Sequence, residues 1–243
     1  MEKNIRNRRK KHSYTSQRVK VTLMAALSLC VLVGLTLELA EVWEQAHAVR
    51  PVSGAADEPE RGDGTLRTDF LREPSVKNSA DLVRWSKMAY EEQWGYVYGT
   101  FGNSLSEATL AEKARQYPRD VGESQAFIRD HWMGRRTVDC MGLIKSYLWY
   151  DPKDNAIHYN GGGMPDIGCD RLFRQAEQKG TIDTIPEIEG LAVYAEGHIG
   201  VYIGNGWAID AQSTTKGMTK TKVTDRKWTH WFKIPYIRYG KKR

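Results

Sequence analysis

Cysteine is scarce in this chain: Cys30, Cys140 and Cys169 are the three in 243 residues. They form no paired CxxC spacing, and the six histidines form no HExxH pattern. The ligand sets of a zinc site are therefore missing, and neither a metal nor a cofactor is expected. A GxSxG nucleophile elbow is also lacking, which argues against a serine hydrolase of that kind. Gly161-Gly162-Gly163 is not followed by Lys-Ser or Lys-Thr, so it is not a phosphate loop. No internal repeat is visible. The chain is long enough for one good domain with accessories.

Long apolar runs are equally few. One stands out: Val21 to Leu37 carries no charged residue. As a helix it would be about 26 Å long, enough for a thin bilayer. The segment before it holds eight Lys and Arg against Glu2 alone. That is +7 of a whole-chain net charge of +6, so the remainder is near −1. The basic balance belongs to a tail, and nucleic-acid binding is not expected. Positive charge on the N-terminal side of an apolar run places that end in the cytoplasm. The reading is a basic cytoplasmic tail over 1–20, a single transmembrane anchor over 21–40, and a flexible tether over 41–78 that carries Pro51, Pro59 and Pro74. A cleaved secretory signal is the rival. Ala46-His47-Ala48 has the form of a cleavage site but lies far beyond the run. Either reading exports the rest, a domain over 79–243.

Within that domain, Thr137 to Trp149 places a cysteine where a loop becomes a helix. Leu143, Ile144, Tyr147 and Leu148 form an apolar stripe at helical spacing. Asp139 reads as the N-cap and Cys140 as the first helical residue. The first turn of a helix has unpaired N–H groups and the positive end of the macrodipole. A thiol there is expected to ionise more readily, and the thiolate is the nucleophile. A buried core cysteine is the plainer alternative.

Gly197 to Ala211 reads as two strands joined at Gly204-Asn205-Gly206. Pairing through a two-residue Asn205-Gly206 loop puts His198 and Asp210 on opposite faces. An odd loop with a bulge pairs 200 with 210, and the two side chains become diagonal neighbours on one face. An imidazole oriented by a carboxylate would complete a nucleophile, base and orienter with Cys140.

The order Tyr96-Val97-Tyr98-Gly99, then Asp139-Cys140-Met141-Gly142-Leu143, then Gly197-His198-Ile199-Gly200-Val201-Tyr202-Ile203-Gly204 resembles the NlpC/P60 family of cell-wall cysteine peptidases over roughly 79–239. The resemblance implies a papain-like α+β fold: an antiparallel sheet packed against helices, with the catalytic cysteine at a helix N-terminus. It implies thiol-dependent hydrolysis of peptidoglycan stem peptides, with the D-glutamyl to diamino acid bond expected. By position, Cys140 is the nucleophile, His198 the base, Asp210 the third polar residue, and Tyr96 a tyrosine near the oxyanion site. Two positions depart from the pattern. Met141 stands where Ser is usual, and Asp210 where His is frequent. Amidase or acyl-transfer chemistry on the same scaffold is a second reading. A membrane-tethered wall-binding or surface-apparatus module without activity is a third.

The remaining pattern gives a helix after Ser79 and a helical insertion over 100–136 near the site rim. That insertion contains a capping box at Ser104 and Glu107. A further helix is expected from Asp170 to Gln178, and strands at 190–195, 220–223 and 231–239. Trp228 and Trp231 are placed in the core. In an oxidising compartment Cys140 and Cys169 could form a disulfide, which would silence a catalytic thiol. The oligomeric state is not readable from the sequence.

Overall fold

The computed structural model describes residues 65–240; the expected basic tail and apolar anchor lie outside the described residues. Among the described residues no helix is long and apolar enough to cross a membrane.

Helix α1 (Ser79–Glu91) starts at the serine expected to cap it; the cap is Asn78, one residue earlier, whose side chain accepts the Asp81 N–H. Asn and Ser serve this role equally well, because each puts an oxygen within reach of the first turn. Leu82, Trp85, Met88 and Ala89 are all buried, as their spacing predicts. Residues 65–78, expected as the end of a tether, instead pack on this helix. Leu66 is only 3 % exposed. The Arg72 and Glu73 N–H groups donate to the Asp81 carboxylate at 3.1 and 2.9 Å. Burial pushes the Asp81 carboxyl up. Hydrogen bonds from Asn78, Arg72, Glu73 and Arg84 outweigh that and hold it below its ordinary value.

A small sheet follows. Strands β1 (Gly95–Tyr96) and β2 (Phe101–Ser104) flank β3 (Arg136–Val138). The insertion between β2 and β3 carries helices α2 (Glu107–Gln116) and α3 (Gln125–Trp132). Ser106, not Ser104, caps α2 by accepting the Thr109 N–H; Ser104 is the last residue of β2. Val97, Leu105, Leu110, Val121, Ile128 and Trp132 give the insertion its own buried cluster.

Helix α4 (Cys140–Leu148) has Asp139 as its cap, as expected, with the carboxylate 2.5 Å from the Gly142 N–H. Gly142 is where this helix meets the backbone before β2: a Cβ there would lie 2.0 Å from the Thr100 carbonyl oxygen. Backbone cannot yield as a side chain does. Gly142→Ala is therefore expected to cost at least about 2 kcal/mol and lower Tm by roughly 5 °C, measured by thermal melting.

After α4 come the short pair β4 (Tyr150–Asp151) and β5 (Ala156–Ile157), then α5 (Cys169–Gln175). Helix α5 ends at Gln175, short of the expected Gln178, where Ala176 turns to extended backbone, and β6 (Lys179–Thr181) follows. The main sheet adds β7 (Ala192–Ala195), β8 (His198–Gly204), β9 (Trp207–Ser213), β10 (Gly217–Lys222) and β11 (His230–Phe232), in the order β10-β9-β8-β7-β11-β6. All its pairings are antiparallel. Strand β11 is shorter than the expected 231–239, and Pro235, which has no N–H to donate, follows soon after. One face of the sheet carries Ile199, Val201, Ile203 and Ile209 into the main core with α1 and α4. The other carries Val193, Tyr202 and Ala208 against Leu191, Val223 and Trp228.

The β8–β9 hairpin combines both registers weighed from the sequence. Asn205 and Gly206 have φ of 53° and 76°, as a two-residue hairpin turn demands, and Gly204 pairs with Trp207. The next pair is Tyr202 with Ala208, so Ile203 is an extra residue on β8. That bulge converts the even register to the odd one. Gly200 then faces Asp210: a Cβ at 200 would lie 3.0 Å from the Asp210 Cβ.

Candidate active site

Cys140 opens α4 with 7 % of its surface exposed. Its neighbours come from four elements. Asp139, behind it, is a buried carboxyl that accepts the Gly142 and Gly99 N–H groups; burial still pushes that carboxyl up. Cys169 opens α5 close by, and both thiols are free, so the disulfide considered from the sequence is not formed. Tyr96 on β1 completes the group. Burial first, then Cys140 and Asp139, push its hydroxyl well above the ordinary tyrosine range. At the start of β8, the Cys140 Sγ–H is 4.0 Å from the Gly197 carbonyl oxygen that accepts it.

This packing overturns the expectation of a ready thiolate. Contact with Cys169, burial and the Asp139 carboxylate together raise Cys140 well above the ordinary thiol value. Cys169 is lowered, chiefly by its contact with Cys140. The helix dipole is worth at most about 2 kcal/mol in partly buried geometries, and the anionic and apolar surroundings outweigh it. Cys140 rests as a thiol. Alkylation with iodoacetamide should accordingly reach Cys169 at a lower pH than Cys140, read by peptide mapping across a pH series. Cys140 reacting first at every pH would contradict that order.

His198 opens β8, and the bulge brings it to Asp210: the Nε2 to Oδ2 distance is 2.7 Å. Asp210 is wholly buried. A buried carboxylate needs partners, and this one has three. Thr219 Oγ1 donates to Oδ1 at 2.8 Å, and Arg226 Nη2 donates to Oδ2 at 2.9 Å, beside the imidazole. The same Arg226 nitrogen is 3.3 Å from His198 Nε2. With Nε2 turned to Asp210, Nδ1 is the imidazole nitrogen left for a thiol or a substrate. The ring stacks on Trp228, centroids 5.3 Å apart and planes within 10°. Trp228 is buried, as expected, but its partner is the histidine.

The structure thus joins His198 and Asp210 directly and groups Cys140 with Tyr96. The thiol's hydrogen bond goes to Gly197, one residue before His198, rather than to the imidazole. Sequence reasoning missed Thr219, Arg226 and Trp228. Thr219 was within reach, because it sits directly across from Asp210 in the β9–β10 register. Arg226 was not, since it arrives from a turn after β10.

A cleft of about 610 Å³ lies beside Cys140. Tyr98, Phe101, Tyr117, Trp149 and Tyr159 give it aromatic walls, and Met141 lines it next to the thiol. Helix α2 of the insertion contributes Thr109, Glu112, Lys113 and Gln116, so the insertion does stand at the site rim. Lys145 and Asp166, which also line the cleft, form an ion pair at 2.5 Å.

No family model and no curated protein matches this chain. Among solved structures, the chain is similar to NlpC/P60 domains of peptidoglycan hydrolases. The NlpC/p60 domain of the peptidoglycan hydrolase SagA is 13% identical, with a TM-score of 0.36, covering 65% of this chain and 99% of that one. The peptidoglycan hydrolase RipB from Mycobacterium tuberculosis is 18% identical, with a TM-score of 0.37, covering 72% of this chain and 75% of that one. NlpC2 from Trichomonas vaginalis is 14% identical, with a TM-score of 0.36, covering 67% of this chain and 51% of that one.

Proposed function

We propose that this chain is a cysteine peptidase that hydrolyses peptide bonds in peptidoglycan stems. The observation that carries the proposal is the buried His198–Asp210 pair at the start of β8, next to the Gly197 carbonyl that holds the Cys140 thiol. The aromatic cleft beside Cys140 provides room for a peptide.

In this reading Cys140 is the nucleophile. Because it rests protonated, its proton passes to His198 Nδ1 as the sulfur attacks the stem carbonyl carbon. The Sγ–H turns from the Gly197 carbonyl to do so. Negative charge develops on the carbonyl oxygen, where the Cys140 N–H and the Tyr96 hydroxyl can meet it. The Cys140 N–H, at the first position of α4, has no intrahelical acceptor. A raised hydroxyl pKa keeps Tyr96 a donor throughout. The C–N bond then breaks, and His198 returns the proton to the departing amine, leaving a thioester. Water attacks that thioester while His198 takes its proton, and Cys140 leaves as the thiol. Asp210 holds the Nε2–H tautomer through both halves.

The proposed bond joins D-glutamate to the diamino acid, and the apolar segment at 21–40 would hold the enzyme at the outer membrane face. The test is digestion of purified peptidoglycan by the full chain, with fragments identified by mass spectrometry. New termini at the D-glutamyl to diamino acid bond are expected. Termini only at the sugar–peptide amide would replace the proposal with amidase chemistry. No fragments at all would leave a wall-binding module.

A further inference from the structure

From the geometry around Asp210, we infer that Arg226 is a positioning residue of the His198–Asp210 pair, holding the imidazole as a neutral base with its free Nδ1 toward Cys140. The inference rests on the proposed peptidase reading, which has no role for Arg226.

Two donors share one carboxylate oxygen. Asp210 Oδ2 receives His198 Nε2 at 2.7 Å and Arg226 Nη2 at 2.9 Å. A guanidinium is charged at every working pH. It therefore balances the buried carboxylate whether or not the imidazole is protonated. In a histidine–aspartate pair without such a cation, the carboxylate charge would favour the imidazolium. Here Arg226 lies 3.3 Å from His198 Nε2, so a second positive charge on the ring would meet it directly. A neutral imidazole suits a protonated thiol, and contact with Cys169, burial and Asp139 raise the Cys140 thiol well above its ordinary value.

The placement of Arg226 is built. It follows a 3-10 turn, Val223–Asp225, whose first N–H is bonded to the Gly206 carbonyl of the β8–β9 turn at 2.8 Å. Its guanidinium lies 5.4 Å from the centre of the Trp228 ring, and the same ring stacks on His198. One tryptophan thus fixes both the base and the cation. The other titratable groups around this strand start are Cys140 and Asp139 at α4, Tyr96 on β1, Cys169 and Asp170 on α5, and Tyr194 on β7; Asp170 accepts the Gly197 N–H at 2.9 Å and the Tyr194 hydroxyl at 2.8 Å. The uncharged partner from β10 is Thr219. Arg226 is the cation of this set.

The test compares the full chain with Arg226→Gln and Arg226→Lys. In Arg226→Gln, the acid limb of the kcat/KM profile is expected to move to higher pH by about 1 unit. A kcat fall of about tenfold should accompany it, with KM within about twofold. Arg226→Lys keeps the charge without the planar fork. Its limb should stay in place while kcat falls less. The His198 ring signals, followed by NMR against pH, should move in step with each profile. An unmoved limb and unmoved ring signals in Arg226→Gln would overturn the inference, whatever happens to rate. If Arg226→Gln does not fold, a shifted titration in Arg226→Lys would overturn it instead. The NMR titration needs no substrate. A wild type that fails to digest peptidoglycan would therefore sink the peptidase reading while the Arg226 result is still read.

Discussion

Cys140→Ala is expected to lower peptidoglycan turnover by about 10⁴-fold or more, because the covalent route disappears with the sulfur. His198 and Asp210 would remain in contact, yet without a nucleophile they have no proton to collect. The fold should survive. The side chain is small, its Sγ–H makes a single long hydrogen bond to Gly197, and the thiol crowds the Asp139 carboxyl rather than supporting it. Stability should change by about 1 kcal/mol or less, which thermal melting reads. Loss of turnover together with loss of folding would leave the chemistry unsupported. Substantial turnover in a folded Cys140→Ala would remove Cys140 from the mechanism.

Asp210→Asn is expected to reduce turnover by at least about tenfold, with an upper range near the 10⁴ of a neutralised triad carboxylate. The structure shows why the substitution can be clean. The asparagine oxygen can take the place of Oδ2 and accept from His198 and Arg226. Its NH₂ then faces Thr219 Oγ1, a hydroxyl that can accept as well as donate. Geometry is kept while the charge is lost. Arg226 then stands beside the imidazole without its counter-ion, and the imidazolium formed during attack has no anion to meet it. The loss should appear in kcat, with substrate binding little changed. Wild-type turnover in Asp210→Asn would make the pair a structural one.

What could be read from the sequence was what is local. The Asp139 cap and Cys140 at the helix start follow from neighbouring residue types, and both stand as expected. The His198–Asp210 contact followed from strand parity, but only as one of two registers. The bulge at Ile203 decided it, and sequence alone could not choose where an extra residue would sit. The α+β arrangement, with α4 packed on an antiparallel sheet, was implied by the motif resemblance rather than by any periodicity; the apolar stripe of α4 gave only the helix itself. The third cap assignment failed by two residues, at Ser106 rather than Ser104, because either serine offers the same oxygen.

Misses at the site were tertiary. Cys169 reaches Cys140 from a helix 29 residues further on, and their contact reverses the ionisation that a helix start alone predicts. Arg226 approaches Asp210 from a short turn whose path no periodicity records. Leu66 and its neighbours looked like tether because prolines and charges surround them. Leu66 nonetheless joins the main core, and Asp81 within α1 accepts the backbone N–H groups of Arg72 and Glu73 further along the segment. In each case the deciding partner lies in another element.

The measurement that tests the central claim most directly is stem-peptide release from purified peptidoglycan by the full chain, Cys140→Ala and Cys169→Ala, run side by side and read by mass spectrometry. Both thiols line the same cleft, so the comparison asks which one carries the chemistry. The account predicts the same new termini from the wild type and from Cys169→Ala, and none from Cys140→Ala. Release by Cys140→Ala at the wild-type rate, or its loss in Cys169→Ala alone, would contradict it.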